Sequence, residues 1–105
     1  MREALTHASA RAEQGGRDNE RLEFLGDRVL GLAIAALLFE QFPEAREVEF
    51  ARHYNSLVCK GSCAEVAQTL GLGPYLLMAA SEARSGGRKK PVILADACEA
   101  LLGAV

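Results

Sequence analysis

Hydrophobic and polar positions along the chain recur at the helical period, and no segment alternates in the manner of a β-strand. The pattern predicts helices over residues 1–12, Glu20 to Gln41, Val48 to Lys60, Cys63 to Leu70 and Pro91 to the end. Asp18 or Asn19 can cap the second helix, and Phe42-Pro43 ends it because proline cannot continue the hydrogen-bond ladder. The predicted fold class is therefore all-α.

Turn residues divide the second half of the chain. Ser62-Cys63-Ala64-Glu65 matches a capping box, which predicts a helix start at Cys63. Tyr75 to Ala83 is predicted to be helical or turn-like. Ser85 to Lys90 contains two glycines and three cations and is expected to form a flexible basic loop.

Three acids share one face of the helix predicted from Glu20 to Gln41. Glu20, Glu23 and Asp27 are spaced i, i+3, i+7 and fall within an arc of about 60°. The opposite face is apolar, formed by Leu22, Leu25, Val29, Leu32 and Ala36. Beyond the acids the helix is apolar on every side, which predicts a central, buried helix with partly desolvated acids at its mouth.

The last predicted helix repeats this feature. Asp96 and Glu99 are i, i+3 neighbours, and the rest of Pro91 to Leu102 is apolar or small. Charged carboxylates in such a helix cost several kcal/mol unless cations compensate them. Either pattern alone is usually a solvated face or a favourable interaction with the helix dipole. Both patterns in apolar helices favour a functional site.

A metal site follows if these two helices pack face to face. Five acids would then converge without a matching cluster of Lys or His, and Arg21 alone cannot neutralise them. Oxygen ligands in that number suit Mg²⁺, with Mn²⁺ as a substitute. Two such ions about 4 Å apart are a standard device for phosphodiester hydrolysis.

Length and composition place the chain among ordinary globular domains. The 105 residues fit one domain, with 50% hydrophobic and 25% charged residues. The N-terminus lacks a signal peptide, and no apolar stretch approaches the roughly 18–20 residues that span a bilayer. We therefore expect a cytoplasmic protein without a membrane partner. Cys59, Cys63 and Cys98 form no CxxC pair and are expected to be buried free thiols rather than a zinc site.

The run from Asn19 to Asp27, NERLEFLGD, followed by Val29-Leu30, resembles the signature motif of the ribonuclease III family, most closely the bacterial type. Further similar segments follow in the family's order over most of the chain: Ala4-Leu5-Thr6-His7, Phe42-Pro43, Gly71-Leu72-Gly73, Ser85-Gly86-Gly87 and Ile93 to Gly103. The resemblance implies an all-helical endonuclease domain that acts as a homodimer on double-stranded RNA.

The resemblance also implies roles for individual residues. Glu23, Asp27, Asp96 and Glu99 match the positions that hold the catalytic metals, with Asp27 and Glu99 central to catalysis. Glu20 matches a signature acid that contacts RNA or supports the site, and Glu47, by a looser alignment, matches an acid of the cleavage cleft. Phe24 matches the dimer-contact aromatic, although a core position within one chain is the alternative.

The chain departs from the family pattern at several points. Arg28 stands where a small residue usually follows the signature aspartate, and could pair with an acid or reach phosphate. Residues 1–105 are expected to be a catalytic domain truncated at both ends, with no double-stranded RNA-binding domain in this chain.

The charge distribution suits a nucleic-acid partner once the acids are set apart. The net charge of -2 becomes positive without the six matched carboxylates. Arg84, Arg88, Lys89 and Lys90 cluster in one loop, as expected of residues that contact a phosphate backbone. A solvated loop is the alternative. The lack of interleaved aromatics favours a duplex over a single strand.

The predicted function is Mg²⁺-dependent hydrolysis of double-stranded RNA by two metal ions, leaving 5′-phosphate and 3′-hydroxyl ends, in rRNA and mRNA processing. Two alternatives remain at this point. An all-α nucleotide pyrophosphohydrolase also uses helical carboxylates with Mg²⁺. A truncated fragment could instead dimerise or bind RNA without cutting it. A di-iron bundle is disfavoured because neither His7 nor His53 completes a Glu-x-x-His pair.

Overall fold

A computed structural model describes all residues from 1 to 105 and shows an all-helical fold. Six α-helices follow in order: α1 (Ala8–Gln14), α2 (Glu20–Gln41), α3 (Glu47–Leu57), α4 (Lys60–Thr69), α5 (Ala80–Arg84) and α6 (Pro91–Ala104). Three short 3₁₀ turns cover Glu3–Leu5, Gly73–Tyr75 and Gly87–Lys89. No helix combines the length and the apolar character needed to cross a membrane. The all-α prediction is confirmed.

Helix α6 is the central element, packed between α2 and α4. Half of its residues are buried, and they supply most of the core together with Cys63, Ala64 and Ala67 of α4. The prediction that α2 is the buried central helix is wrong, because only Gly26, Gly31 and Leu38 are buried there. The apolar stripe of α2 lies outside this chain's core, with Leu32 74% exposed.

Two glycines bring the backbones of α2 and α6 into direct contact. A Cβ atom on Gly26 would overlap the backbone oxygen of Glu99, and one on Gly103 would overlap that of Leu22. Any side chain at either position would force the helices apart. This crossing holds the first turns of α2 beside the middle of α6, where the predicted acids lie.

The N-terminal segment is not one helix. It breaks at Thr6 and His7, where the His7 amide donates to the Leu77 carbonyl (2.8 Å) and the Leu77 amide donates to the Leu5 carbonyl (2.8 Å). His7 then caps α1, its Nδ1 accepting from the Ser9 amide at 3.1 Å. The helix predicted over residues 1–12 is therefore wrong at this point, because long-range backbone hydrogen bonds replace local ones.

The predicted boundaries of α2 are confirmed, and those of the next two helices are shifted. Asn19 occupies the N-cap position of α2 without a side-chain capping bond, and the preceding Asp18 accepts from the amide of Glu20, the first residue of the helix, at 3.0 Å. Helix α3 already ends at Leu57, and α4 begins at Lys60 with Gly61 inside it. Ser62 does not cap, because its hydroxyl donates to the Ser56 carbonyl at 3.1 Å. Lys60 thus opens α4 instead of closing α3.

Candidate active site

A lysine lies at the centre of the acids that converge from α2 and α6. The Lys60 ammonium is 2.7 Å from Asp96 Oδ1, 3.0 Å from Glu99 Oε1 and 3.3 Å from Glu23 Oε1. The Gly26–Gly103 crossing brings the carboxylates together, and the packing of α4 on α6 adds the cation. Three of the four predicted metal-binding acids therefore meet around one positive charge.

The fourth acid, Asp27, faces the same site but pairs with its neighbour. Its Oδ2 accepts from Arg28 Nη1 at 3.0 Å, an exposed ion pair. An open depression of about 440 Å³ is lined by Glu20, Glu23, Phe24, Asp27, Arg28, Lys60 and Glu99. Asp27 and Glu99 thus open onto one depression rather than pointing apart.

Glu99 is the most deeply buried charged residue of the site. It is 1% exposed, and its Oε1 atom has no hydrogen-bond partner, since the Lys60 ammonium approaches it outside hydrogen-bonding geometry. A buried carboxylate oxygen in this state is costly unless a cation compensates it. The site therefore has a built-in demand for positive charge beside α6.

The oxygen donors of the site suit a hard divalent cation, but in this conformation they do not form a complete coordination site. Carboxylate oxygens are the ligands that Mg²⁺ and Mn²⁺ prefer. No group of three or more His, Cys, Asp or Glu side chains is placed so that it could hold a metal ion in this conformation. Lys60 lies among the oxygens of Glu23, Asp96 and Glu99, so this side chain has to move before they could share a metal.

Burial and the crowding of charges shift the pKa values of two residues of the site, Glu23 and Lys60. Burial raises the pKa of Glu23 above its usual value, and the nearby charge of Asp96 adds to the rise, while Lys60 opposes it. Burial lowers the pKa of Lys60, but its hydrogen bond to Asp96 and the negative charges of Asp96 and Glu99 outweigh burial and leave that pKa raised. Lys60 is therefore a permanent cation at neutral pH.

Lys60 is the residue of the site that the sequence analysis missed. We expected the acids to converge without a matching cluster of Lys or His, and the structure places one lysine, with no such cluster, against three of them. Its three partners lie 36 to 39 residues away in sequence, so no local spacing connects them. Only the packing of α4 against α6 reveals the contact.

Phe24 and Arg28 form a pair at the edge of the depression. Phe24 is 64% exposed, and the Arg28 guanidinium carbon lies 4.1 Å from the centre of its ring. The core alternative for Phe24 is therefore wrong for this chain. Arg28 pairs with an acid, as one of the two expectations had it. Dimer contact through Phe24 stays a prediction.

The two remaining predicted acids lie in different places. Glu20 is exposed and lines the depression with the metal-site candidates. Glu47 lines a separate apolar cavity between α2 and α3, beside Leu38, Phe39 and Tyr54. Glu47 is thus not brought to the other acids within one chain.

The basic loop is more ordered than expected, and its four cations differ in their engagement. Arg88 donates to the carbonyls of Gly73, Pro74 and Leu76, so its guanidinium links the 3₁₀ turn at Gly87–Lys89 to the one at Gly73–Tyr75. Lys90 pairs with Glu82 at 2.9 Å. Arg84 and Lys89 are exposed and form no ion pair in the structure. These two cations are the best placed of the four to meet a phosphate.

All three cysteines are free thiols, as expected, but only Cys63 and Cys98 are buried. Cys59 is exposed, so the prediction of burial is wrong there. It occupies the position before α4, where no tertiary contact covers it.

Comparison with known families gives a match over the whole chain. The model of the Ribonuclease-III-like family matches residues 1–105. Ribonuclease 3 of Dinoroseobacter shibae is 55% identical over 102 residues, which cover 97% of this chain and 44% of that protein. Ribonuclease 3 of Geobacter metallireducens is 51% identical and is matched over 44% of its length by the complete chain. The chain therefore spans less than half the length of these curated relatives.

Solved structures show the same fold. The nuclease domain of ribonuclease III from Campylobacter jejuni superposes with a TM-score of 0.92 at 43% identity, covering 98% of this chain and 70% of that one. That crystal structure concerns a region involved in dimer formation. A second structure of the same domain gives a TM-score of 0.90 at 43% identity, with coverage of 98% and 68%. Sequence and fold agree, and the chain belongs to the ribonuclease-III-like family.

Proposed function

We propose that this chain is the catalytic domain of a metal-dependent endonuclease that hydrolyses phosphodiester bonds of double-stranded RNA and leaves 5′-phosphate and 3′-hydroxyl ends. The observation that carries the proposal is Glu99, buried beside Asp96 and Glu23 with an oxygen that no donor satisfies. The names of the relatives, Ribonuclease 3, support the same activity. Processing of rRNA and mRNA precursors in the cytoplasm is the proposed setting.

Glu23, Asp27, Asp96 and Glu99 are the residues that would hold Mg²⁺, or Mn²⁺ in its place. When bound, divalent cations supply an activated water for attack on phosphorus and stabilise charge on the leaving 3′-oxygen. The chain supplies the oxygen donors, and the close approach of the backbones at Gly26 and Gly103 brings those of α2 and α6 near one another. Asp27 and Glu99 both line the depression, which suits them to orient the reacting groups.

Residues outside the proposed metal site would position the duplex. Glu20 lies at its edge, where its carboxylate can accept hydrogen bonds from ribose hydroxyls. Arg84 and Lys89 are the unpaired cations of the basic loop and would contact the phosphate backbone. Glu47 lies in another cavity, so its proposed role at the cleft requires a second copy of the chain.

A homodimer is proposed because α2 leaves an apolar surface uncovered. Leu25, Val29, Leu32 and Phe39 lie along one stripe of that helix and are 50%, 41%, 74% and 76% exposed. Contiguous apolar surface of this kind marks protein interfaces. Phe24 lies beside the stripe, next to the depression, so the same interface would adjoin the site.

The change Glu99→Gln tests the proposed activity. Glutamine keeps the shape and removes the charge, so we expect cleavage of a labelled RNA duplex in Mg²⁺ to fall by at least about a hundredfold. Duplex binding, measured in Ca²⁺, should change little. Glu65→Gln, which alters an exposed acid of α4, is the matched control and should cleave normally.

Unchanged Mg²⁺-dependent cleavage by Glu99→Gln would contradict the proposal. Duplex binding without any cleavage by the unaltered protein would instead favour a non-cleaving, dimerising fragment, an alternative to which the exposed stripe of α2 gives some support. Hydrolysis of free nucleoside triphosphates would favour the pyrophosphohydrolase alternative, against which the family match argues.

A further inference from the structure

Lys60 stands out because one ammonium is shared among three carboxylates from two helices. It lies within 3.3 Å of an oxygen of Glu23, Asp96 and Glu99. The exposed fractions of the four side chains differ sharply, at 50% for the lysine, 29% for Glu23, 27% for Asp96 and 2% for Glu99. The three carboxylates are therefore more buried than the lysine, which presents half of its side-chain surface to solvent.

The lysine supplies the positive charge that the buried acids require. A carboxylate that is 1% exposed is costly to bury unless a cation lies beside it, and the Lys60 ammonium lies 3.0 Å from Glu99 Oε1. The Lys60 ammonium meets this need only in part, since Glu99 Oε1 is left without a hydrogen bond. The ion pairs of Lys60 hold the three acids together, but they leave one oxygen of Glu99 open to a stronger cation that could take the place of the ammonium.

We propose that Lys60 is a built-in counter-cation that occupies the cation-binding position between Glu23, Asp96 and Glu99 and is displaced when a divalent cation binds. This inference rests on the proposed function, because it concerns the same carboxylates. Ammonium and metal cannot share these oxygens at the observed distances, so each lowers the occupancy of the other. Lys60 thereby sets the metal affinity of the site.

The position of Lys60 in the fold permits this exchange. It is the first residue of α4, and its half-exposed side chain lines the depression together with Glu23 and Glu99. A lysine stem can rotate away without disturbing the helix, whereas the carboxylates sit on the tightly packed α2–α6 crossing. Arg28 forms a comparable but more exposed ion pair with Asp27. Each of the four proposed ligands is therefore paired with a cation of this chain before a metal binds.

The change Lys60→Met tests the inference by removing the charge and keeping the stem. Calorimetric titration with Mn²⁺ should show binding about tenfold tighter than in the unaltered protein, because the competitor is gone. Lys90→Met is the matched control. It removes a lysine of similar exposure whose single ion pair, with Glu82, lies outside the site, so its Mn²⁺ affinity should not change.

Melting temperatures provide a second readout without activity. In EDTA, Lys60→Met should melt below the unaltered protein, because Glu23, Asp96 and Glu99 then repel one another uncompensated. Saturating Mn²⁺ should restore its melting temperature and raise it more than it raises that of the unaltered protein. Equal or weaker Mn²⁺ binding by Lys60→Met would overturn the inference.

The unaltered protein allows a test that no folding defect can obscure. Nitrogen-15 NMR of the lysine ammonium groups should show the Lys60 signal shifting when Mg²⁺ saturates the site, while the Lys90 signal stays in place. An unchanged Lys60 signal at saturation would overturn the inference and leave the proposed function standing. Absence of any Mg²⁺ or Mn²⁺ binding would overturn both.

Discussion

Glu99 and Lys60 show how surroundings decide the role of a side chain. A glutamate on an exposed helix is an ordinary solvated residue. Glu99, by contrast, is 1% exposed and has an oxygen without a hydrogen bond, so its buried charge requires a nearby cation. Sequence placed Glu99 correctly, since an acid in an apolar helix is anomalous wherever that helix packs. Nothing in the sequence around Lys60 indicated that its ammonium lies beside Glu99, because exposed lysines are common.

The cysteines give a prediction at the same scale. Hydrogen bonding with the side chain and the backbone of Ser62 lowers the pKa of the exposed Cys59 thiol. Burial raises the pKa of Cys63 to about 11, with the nearby Cys98 adding to the rise. Because the thiolate is the nucleophile, iodoacetamide at neutral pH should modify Cys59 first, with Cys63 and Cys98 protected. Peptide mass spectrometry over time measures the order.

Ser62→Ala serves as the control for this order. Removing the hydroxyl 3.3 Å from the Cys59 sulfur should raise the pKa of that thiol and slow its modification, leaving the two buried cysteines unchanged. Modification of Cys63 as fast as Cys59 in the folded protein would contradict the structure.

At the scale of elements, the contact between α2 and α6 determines the site. The acids of α2 lie on the side that continues into Leu30 and Leu38, which pack inward, so the acidic face is the inward face. The helical period correctly placed Glu20, Glu23 and Asp27 together. It could not show which side of α2 meets α6, because both sides are apolar farther along the helix.

Gly26→Ala tests this contact. The added methyl group would meet the Glu99 backbone, so α2 and α6 must separate, and we expect a loss of about 2–3 kcal/mol in the free energy of unfolding. Urea denaturation followed by circular dichroism measures it. The separation would also move Glu23 away from Asp96 and weaken Mn²⁺ binding.

Gly61→Ala is the matched control, since it makes the same change inside another helix. Its nearest neighbour would be the Cys59 sulfur at 3.9 Å, an ordinary contact, so the protein should be as stable as before or up to about 1 kcal/mol more stable. Equal stability of the two variants would show that the close crossing is not required.

At the scale of the whole molecule, the apolar stripe of α2 lies outside the core of a single chain. The chain is elongated, with extents of 51 × 22 × 19 Å, and α6 takes the central position that the sequence suggested for α2. A helix that is apolar all round indicates that both sides are covered, but it does not say by which chain.

Self-association is the prediction at this scale. Sedimentation velocity should give about twice the 11.2 kDa mass of the chain, and Phe24→Asp should shift the protein towards the monomer because a charge would enter the proposed interface. Val66→Asp places the same charge on α4 at a position 49% exposed and should leave the assembly unchanged. A monomer at high protein concentration would refute the proposed dimer.

The sequence by itself determined the features that depend on neighbours along the chain. Local hydrogen bonding and the helical period explain four of them: the ends of α2, the bond from its first amide to Asp18, the proline that opens α6 and the spacing of the acids. The family signature lies in one such continuous run. The tertiary structure decided where helices approach and which charges meet across them. Thr6 and His7 form a bridge to Leu77 instead of continuing a helix, and Lys60 contacts acids 36 to 39 residues away. Such contacts depend on packing that no local pattern encodes.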